Sequence, residues 1–315
     1  MKNYAFIDFA TQGYILLTGL LILIFPGAGV PYRLLLLTAH VLGMVLIHLL
    51  IGFNAARNGG KPIQFLRHFY PILLYTAFYR ETAALNHLFI SGYLDPLFVR
   101  LEERLFGLQP SLAFMDWLPF LPVSEILYAS YFSYYLMIGG VGVALFLRNR
   151  AQFFHYLSVV SFVFYVCYLI YIFLPVMGPR IFYYENISDF LPPELQPPMP
   201  VMFPTTVQSG PFYQIMVIIY RYFEAPGAAF PSSHVAVAIT TLYFSILYLR
   251  RIRQVHLVAV LLLCLSTVYC RYHYVVDVFA GVLTALVLVP LGNKLYFKFK
   301  QLSPIHENPA ANAPG

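Results

Sequence analysis

The chain has 315 residues, of which 60% are hydrophobic and only 10% are charged, and its formal net charge is +6. Soluble domains carry about 25% charged residues, so the composition excludes an ordinary soluble domain and indicates a polytopic membrane protein. The basic residues cluster just outside apolar runs, a pattern that sets membrane topology, so we expect no nucleic-acid partner. The three cysteines form no CxxC pair and predict neither a metal centre nor a disulfide framework.

The first two apolar runs, over residues 4–25 and 34–53, predict an N-terminal transmembrane hairpin within residues 1–60. The next run, residues 69–90, begins apolar but carries Arg80 and Glu81. Charged residues at membrane depth usually face the interior of a helical bundle and mark function. A full crossing and a re-entrant or surface helix remain alternatives for this segment.

The remainder of the chain alternates interfacial and apolar segments. A Pro-rich connection of roughly 55 residues precedes residue 230, and connections this long are usually functional. Its amphipathic stretch fits a helix lying along the membrane interface. The predicted segments are an interfacial region (95–122), two spans (125–147 and 153–174), the amphipathic stretch (213–223), three spans beginning near 231, 255 and 274, and a disordered tail (303–315).

The charges also predict which way the chain is oriented. If the spans alternate, the basic clusters around residues 57–67, 148–150, 250–253 and 294–300 share one face. The positive-inside rule makes that face cytoplasmic, together with both termini. Arg180, Arg271 and the two histidines described next would then lie on the periplasmic or luminal face.

Pro231-Ser232-Ser233-His234 stands at the predicted start of a span. Pro is favoured in the first turn of a helix, where its missing N–H costs nothing. The free N–H groups of Ser232 and Ser233, together with the helix dipole, predict an anion site.

His273 and Asp277 are four residues apart, which would place them on one face of a helix. An imidazole that donates one N–H to a carboxylate is held in a single tautomer and becomes a better nucleophile or base. Two intervening spans return His273 to the membrane face of His234, so we expect the two imidazoles to share one pocket.

Arg180 and Arg271 are candidates to hold phosphate oxygens, because a guanidinium forks onto phosphate and stays charged. Arg180 follows the fifth span, and Arg271 stands two residues before His273. An interfacial contact with lipid phosphates is the simpler alternative for both residues.

Three segments together carry a family resemblance: Gly178-Pro179-Arg180, Pro231-Ser232-Ser233-His234 and Cys270 to Asp277. They resemble the signature motifs of the type 2 phosphatidic acid phosphatase (PAP2) superfamily, closest to its inositol phosphorylceramide synthase (Aur1-like) branch. Two basic residues usual in the phosphatases are replaced here by Phe173 and Thr267.

The resemblance covers about residues 67–294, and it implies a six-helix catalytic membrane domain over residues 61–302 behind the added hairpin. The expected fold is therefore an all-α polytopic transmembrane bundle with about eight crossings.

The resemblance also implies a metal-independent displacement in two steps, with no cofactor. His273 would attack phosphorus and form a phosphohistidine, oriented by Asp277, and His234 would act as general acid and then as general base. Arg180 and the amides of Ser232 and Ser233 would hold the phosphate oxygens. The resemblance does not supply a replacement for the two missing basic residues, and our hypothesis is that Arg271 or Arg80 provides the positive charge.

Three functions remain open at this point. The chain is expected to transfer a phospho-headgroup from a phospholipid to a lipid alcohol such as ceramide, as an inositol phosphorylceramide synthase does. Hydrolysis of phosphatidate, phosphatidylglycerol phosphate or a prenyl (di)phosphate is the alternative, and a non-enzymatic lipid carrier or scramblase is a further one. The expected partners are lipid substrates and the bilayer, with no obligatory protein partner.

Overall fold

The computed structural model describes residues 3–25, 29–56, 60–199 and 201–302. These residues form twelve α-helices joined by loops and short 3₁₀ turns, which confirms the predicted all-α bundle. The predicted disordered tail lies outside the described residues. The helices are α1 (Phe6–Ile24), α2 (Arg33–Ala55), α3 (Lys61–Leu85), α4 (Asp95–Phe106), α5 (Pro110–Trp117), α6 (Leu121–Arg148), α7 (Arg150–Phe173), α8 (Thr205–Gln208), α9 (Pro211–Phe223), α10 (Ser233–Tyr248), α11 (Arg253–Tyr269) and α12 (Val275–Leu302).

Five of the described helices, α1, α2, α6, α7 and α12, are long and apolar enough to cross a membrane. Helices α10 and α11 are apolar but shorter, at 16 and 17 residues. Helix α3 has 25 residues and a more polar sequence, so its crossing stays a prediction. It begins earlier than expected because its polar first turns are paired inside the bundle: the Arg67 guanidinium lies 2.5 Å from the buried Asp8 carboxylate.

Helix α7 is the centre of the bundle and packs against α1, α3, α6, α10 and α12. Helix α2 lies on the outside and leaves large apolar side chains such as Leu34, Leu35 and Leu46 exposed. A helix surface with many large exposed apolar side chains is typical of contact with lipid.

The basic clusters at residues 148–150, 250–253 and 294–300 lie at one end of the bundle. Arg148 Nη1 donates to the Tyr248 carbonyl at 2.9 Å, and His155 Nε2 lies 2.6 Å from Asn293 Oδ1. The ends of α6, α10 and α12 and the start of α7 therefore meet there. Since α10 and α12 begin at the opposite end, His234 and His273 lie away from the basic loops, as the alternation of spans predicts.

The long connection after α7 is held against the start of α10. The Val176 N–H donates to the Gly227 carbonyl at 3.2 Å, and the Ala229 N–H donates to the Val176 carbonyl at 2.8 Å. Helix α9, which contains the predicted amphipathic stretch, is anchored at its start by Glu125, whose Oε2 accepts from the Phe212 N–H at 2.9 Å.

Candidate active site

The start of α10 is fixed by contacts from α7 and α12. Tyr171 donates its hydroxyl to the Pro231 carbonyl at 3.0 Å. The Ser232 hydroxyl caps the helix by accepting from the Val235 N–H at 3.4 Å, and the Ser232 N–H donates to the backbone carbonyl of Asp277 at 3.1 Å. These contacts hold His234 in the first turn of α10, beside the start of α12.

The two histidines meet, as the sequence predicts. His273 Nε2 lies 3.3 Å from His234 Nδ1, and His273 Nδ1 lies 3.4 Å from Asp277 Oδ2. Asp277 is fully buried, and it also accepts from the Tyr274 N–H at 2.9 Å. The carboxylate thus lies beside one nitrogen of His273, which has no hydrogen-bond partner among the described residues, and the other nitrogen faces His234.

The expected geometry of this pair is corrected in one respect. His273 does not share a helix face with Asp277, because α12 begins only at Val275. The loop before α12 folds back over its first turn, where Asp277 accepts from the Tyr274 N–H. The contact between imidazole and carboxylate therefore depends on this turn and not on helical spacing.

Aromatic residues surround His234. The Tyr131 hydroxyl lies 3.0 Å from His234 Nε2, and the Tyr134 ring packs with its centroid 4.5 Å from the imidazole. Both tyrosines lie on α6. His234 is therefore in contact through both ring nitrogens, one facing Tyr131 and the other facing His273.

Two cavities adjoin this cluster. The inner one, of about 20 Å³, is bordered by His234 and His273, and the outer one, of about 500 Å³, is bordered by Arg180. Glu224 borders both cavities. The Arg180 guanidinium lies over the ring of Tyr272, 4.5 Å from its centroid, and its Nε and Nη2 are buried without a hydrogen-bond partner in the described structure. These atoms are available to an anion.

Asp95 joins the loop before Arg180 to the loop around His273. Its carboxylate accepts from the N–H groups of Met177 and Gly178 at 2.8 and 2.9 Å and from the Tyr274 hydroxyl at 3.0 Å. Burial raises the pKa of Asp95 to about 7, and these three donors oppose the shift. Glu102, also on α4, accepts from the Val275 N–H at the start of α12.

Comparison with known proteins gives one family. The family model described as the PAP2 superfamily matches residues 97–291, which is more than half of the chain and includes every residue of the site described above except Asp95. The chain belongs to the PAP2 superfamily. Neither the curated proteins nor the solved structures that were compared with it gave a match.

The PAP2 match begins later than the resemblance predicted, so α3 lies outside it as well as α1 and α2. Helix α3 nevertheless contributes to the site, because Tyr79 borders the inner cavity. Asn86, just after α3, donates its side-chain N–H to the Pro226 carbonyl at 2.7 Å, in the loop before α10.

Three predicted phosphate ligands are engaged elsewhere in this PAP2 protein. The Ser232 N–H donates to Asp277, and the Ser233 N–H donates to the Tyr171 hydroxyl at 3.2 Å. The guanidinium of Arg271 is fully buried and bonded to the Tyr183 hydroxyl, to Asp116 Oδ1 at 2.5 Å, and to two backbone carbonyls. Their role with phosphate stays a prediction, and these contacts give it no support. Arg80 is exposed on α3.

Sequence reasoning missed Asp95, Glu102, Tyr131 and Glu224. An acidic residue in a segment otherwise assigned to the interface could have drawn attention to Asp95 and Glu102. Tyr131 is one of 26 tyrosines, and nothing in its sequence neighbourhood distinguishes it.

The buried environment of His273 predicts a pH profile. Burial lowers the pKa of His273 to about 4, compared with about 6.5 for a free histidine, so the neutral imidazole persists in mildly acidic solution. If this imidazole is the nucleophile, the acidic limb of phosphoenzyme formation should lie near pH 4. Rapid-quench measurement from pH 3.5 to 8 checks this, with gel filtration confirming that the protein remains folded. An acidic limb near pH 6.5 would contradict the assignment.

Asp95→Asn should destabilise the site and lower activity at least about tenfold. The amide NH₂ would face one of the three groups that now donate a hydrogen bond to the carboxylate. A buried donor left without a partner lowers the stability of the fold by about 1–3 kcal/mol. Thermal denaturation in detergent and a turnover assay measure the two effects. Glu194→Gln is the matched control, because Glu194 forms an exposed ion pair with Arg100, and such pairs contribute little. Equal behaviour of the two variants would refute the role of Asp95.

Proposed function

We propose that this PAP2 protein transfers a phospho-headgroup from a phospholipid to a lipid alcohol such as ceramide, in the manner of an inositol phosphorylceramide synthase. The charge of the site is the observation that carries the choice of donor, and the choice of a lipid alcohol as acceptor rests on the resemblance of the three motifs. Among the described residues that border the two cavities, Arg180 alone has a permanent positive charge, and Glu185, Asp189 and Glu224 are acidic. A phosphodiester has one negative charge, whereas a phosphate monoester has up to two. The site therefore suits a phospholipid diester better than a phosphatidate.

The reaction is proposed to proceed in two displacements. First, the lone pair of His273 Nε2 attacks phosphorus, the bond to the leaving lipid oxygen breaks, and His234 gives that oxygen a proton. Second, His234 takes the proton from the acceptor hydroxyl, the acceptor oxygen attacks phosphorus, and the P–N bond returns its electrons to Nε2. Arg180 stabilises the charge on the phosphate oxygens in both transition states.

The proposed site faces the periplasm or lumen. Its support is the position of the basic loops at the other end of the bundle, where the positive-inside rule places the cytoplasm. The acceptor and donor lipids would then approach from the outer leaflet.

Hydrolysis is the second candidate, and one feature favours it. The inner cavity of about 20 Å³ beside the histidines has room for about one water molecule. Water bound there would be placed to attack a phosphohistidine.

The deciding experiment uses purified protein in mixed micelles with headgroup-labelled phosphatidylinositol, phosphatidylcholine, phosphatidylglycerol, phosphatidylglycerol phosphate or phosphatidate, or with ³²P-labelled prenyl diphosphate, each with and without ceramide. Transfer predicts a labelled sphingolipid that requires ceramide and is missing with His273→Ala. Release of a water-soluble labelled product both with and without ceramide would contradict transfer and show that the protein hydrolyses the lipid. No turnover of any lipid would overturn both and leave a carrier or scramblase, which a vesicle flip assay would detect.

A further inference from the structure

The contact between Tyr131 and His234 separates two otherwise similar tyrosines. Tyr131 and Tyr134 are both buried on α6, three residues apart, and both rings pack on the imidazole. Only the Tyr131 hydroxyl is within hydrogen-bond distance of His234, 3.0 Å from Nε2, among the contacts of the described residues. The pair therefore provides a built-in comparison between packing and hydrogen bonding.

We propose that Tyr131 is the positioning residue of His234. Its hydroxyl keeps a proton on Nε2 of the imidazole, so that Nδ1 is the atom that gives a proton to the leaving oxygen and takes one from the acceptor. The inference rests on the proposed function. His234 Nδ1 lies 3.3 Å from His273 Nε2, so it is the nitrogen beside the attacking atom. To act as a base, Nδ1 needs a free lone pair, and the neutral ring must then hold its proton on Nε2. The Tyr131 hydroxyl oxygen then accepts a hydrogen bond from this Nε2–H.

The same hydrogen bond serves the acid step. When His234 is protonated, both ring nitrogens are donors: Nδ1–H faces the leaving oxygen, and Nε2–H still donates to Tyr131. One acceptor therefore fits both halves of the reaction, and the imidazole does not need to rotate between them.

A neutral acceptor suits a residue that must gain and lose a proton in every turnover. Asp277 gives His273 a carboxylate partner, which favours a nucleophile. A second carboxylate at Nε2 of His234 would hold the proton more tightly and repel the phosphate. Other titratable groups that face His234 or border its cavity are Tyr79, Tyr134, Tyr220, Tyr272, His273 and Glu224.

The test compares Tyr131→Phe with Tyr134→Phe on two substrates. One is the phospholipid that the wild type turns over fastest in the panel above, whose alkoxide leaving group needs an acid. The other is bis(p-nitrophenyl) phosphate, whose aryl leaving group departs without protonation. Tyr131→Phe should lower kcat on the lipid by about 10- to 100-fold with KM within twofold, since a hydrogen bond to a charged group is lost. Its initial burst of p-nitrophenolate should stay close to that of the wild type.

Tyr134→Phe, which retains its ring, should match the wild type in both assays. Wild-type rates for Tyr131→Phe would overturn the inference and leave the proposed function standing. An equal loss of lipid turnover and of the burst would also overturn it, because a structural defect affects both substrates. A wild type that turns over no substrate would refute the proposed function, and this inference with it.

Discussion

His273→Ala should abolish turnover, with a loss of about 10⁴-fold or more, because removal of a nucleophile eliminates the covalent route. The distances support this residue as the attacking group. Nδ1 lies 3.4 Å from a carboxylate oxygen of the fully buried Asp277, Nε2 lies 3.3 Å from His234 Nδ1, and both histidines border the inner cavity. The measurement is lipid turnover together with isotope transfer from ³²P-labelled donor to the protein.

His234→Ala completes the test, because it separates the two roles. Loss of a general acid lowers the rate on a lipid substrate by about 10²–10⁴-fold. With bis(p-nitrophenyl) phosphate the first step needs no acid, whereas the second still needs a base, so the phosphoenzyme should accumulate. It should be labile in acid and stable in base, as expected for phosphohistidine.

His48→Ala is the matched control, since His48 is exposed on α2 and its ring is bonded to Tyr4. Full activity in His273→Ala, or a phosphoenzyme that survives acid, would show that another residue is the nucleophile.

Arg180→Ala should lower kcat by about 10²–10³-fold, the loss typical of removing one group that stabilises transition-state charge. Among the described residues bordering the cavities no other permanent cation could compensate. Arg180→Lys should recover only part of the activity, because an ammonium keeps the charge but cannot fork onto two oxygens. Initial rates at saturating lipid check both variants.

Arg100→Ala is the control for loss of a surface arginine, as its partner Glu194 is exposed. Arg271→Ala tests the sequence-based phosphate assignment: with Asp116 and two carbonyls left without their donor, we expect less folded protein. A loss of kcat as large as that of Arg180→Ala, in fully folded protein, would restore Arg271 as a phosphate ligand. Activity of Arg180→Ala near that of the wild type would refute the charge argument for a diester.

The sequence allowed the bundle, its apolar spans and the meeting of His234 with His273 to be predicted, because hydropathy and motif spacing are local properties. It did not allow the contacts of Ser233 or Arg271 to be predicted, since the free N–H groups of a helix start and a guanidinium look available until their neighbours are known. Tyr171 and Asp116, which occupy these donors, are distant in the chain. Tyr131 was missed for the same reason.

Helix α3 borders the site although it lies outside the stretch that matches the superfamily. The segments around Val176, Ala229 and Tyr274 are tied to one another by Asp95, Glu102 and the backbone bonds of Val176, and all of these residues except Asp95 lie within the matched stretch. Tyr79 enters from a helix outside it. Exchange of the first three helices would therefore change the wall of the inner cavity to which Tyr79 contributes, and with it the molecules that fit there. The residues proposed to carry the reaction would stay the same.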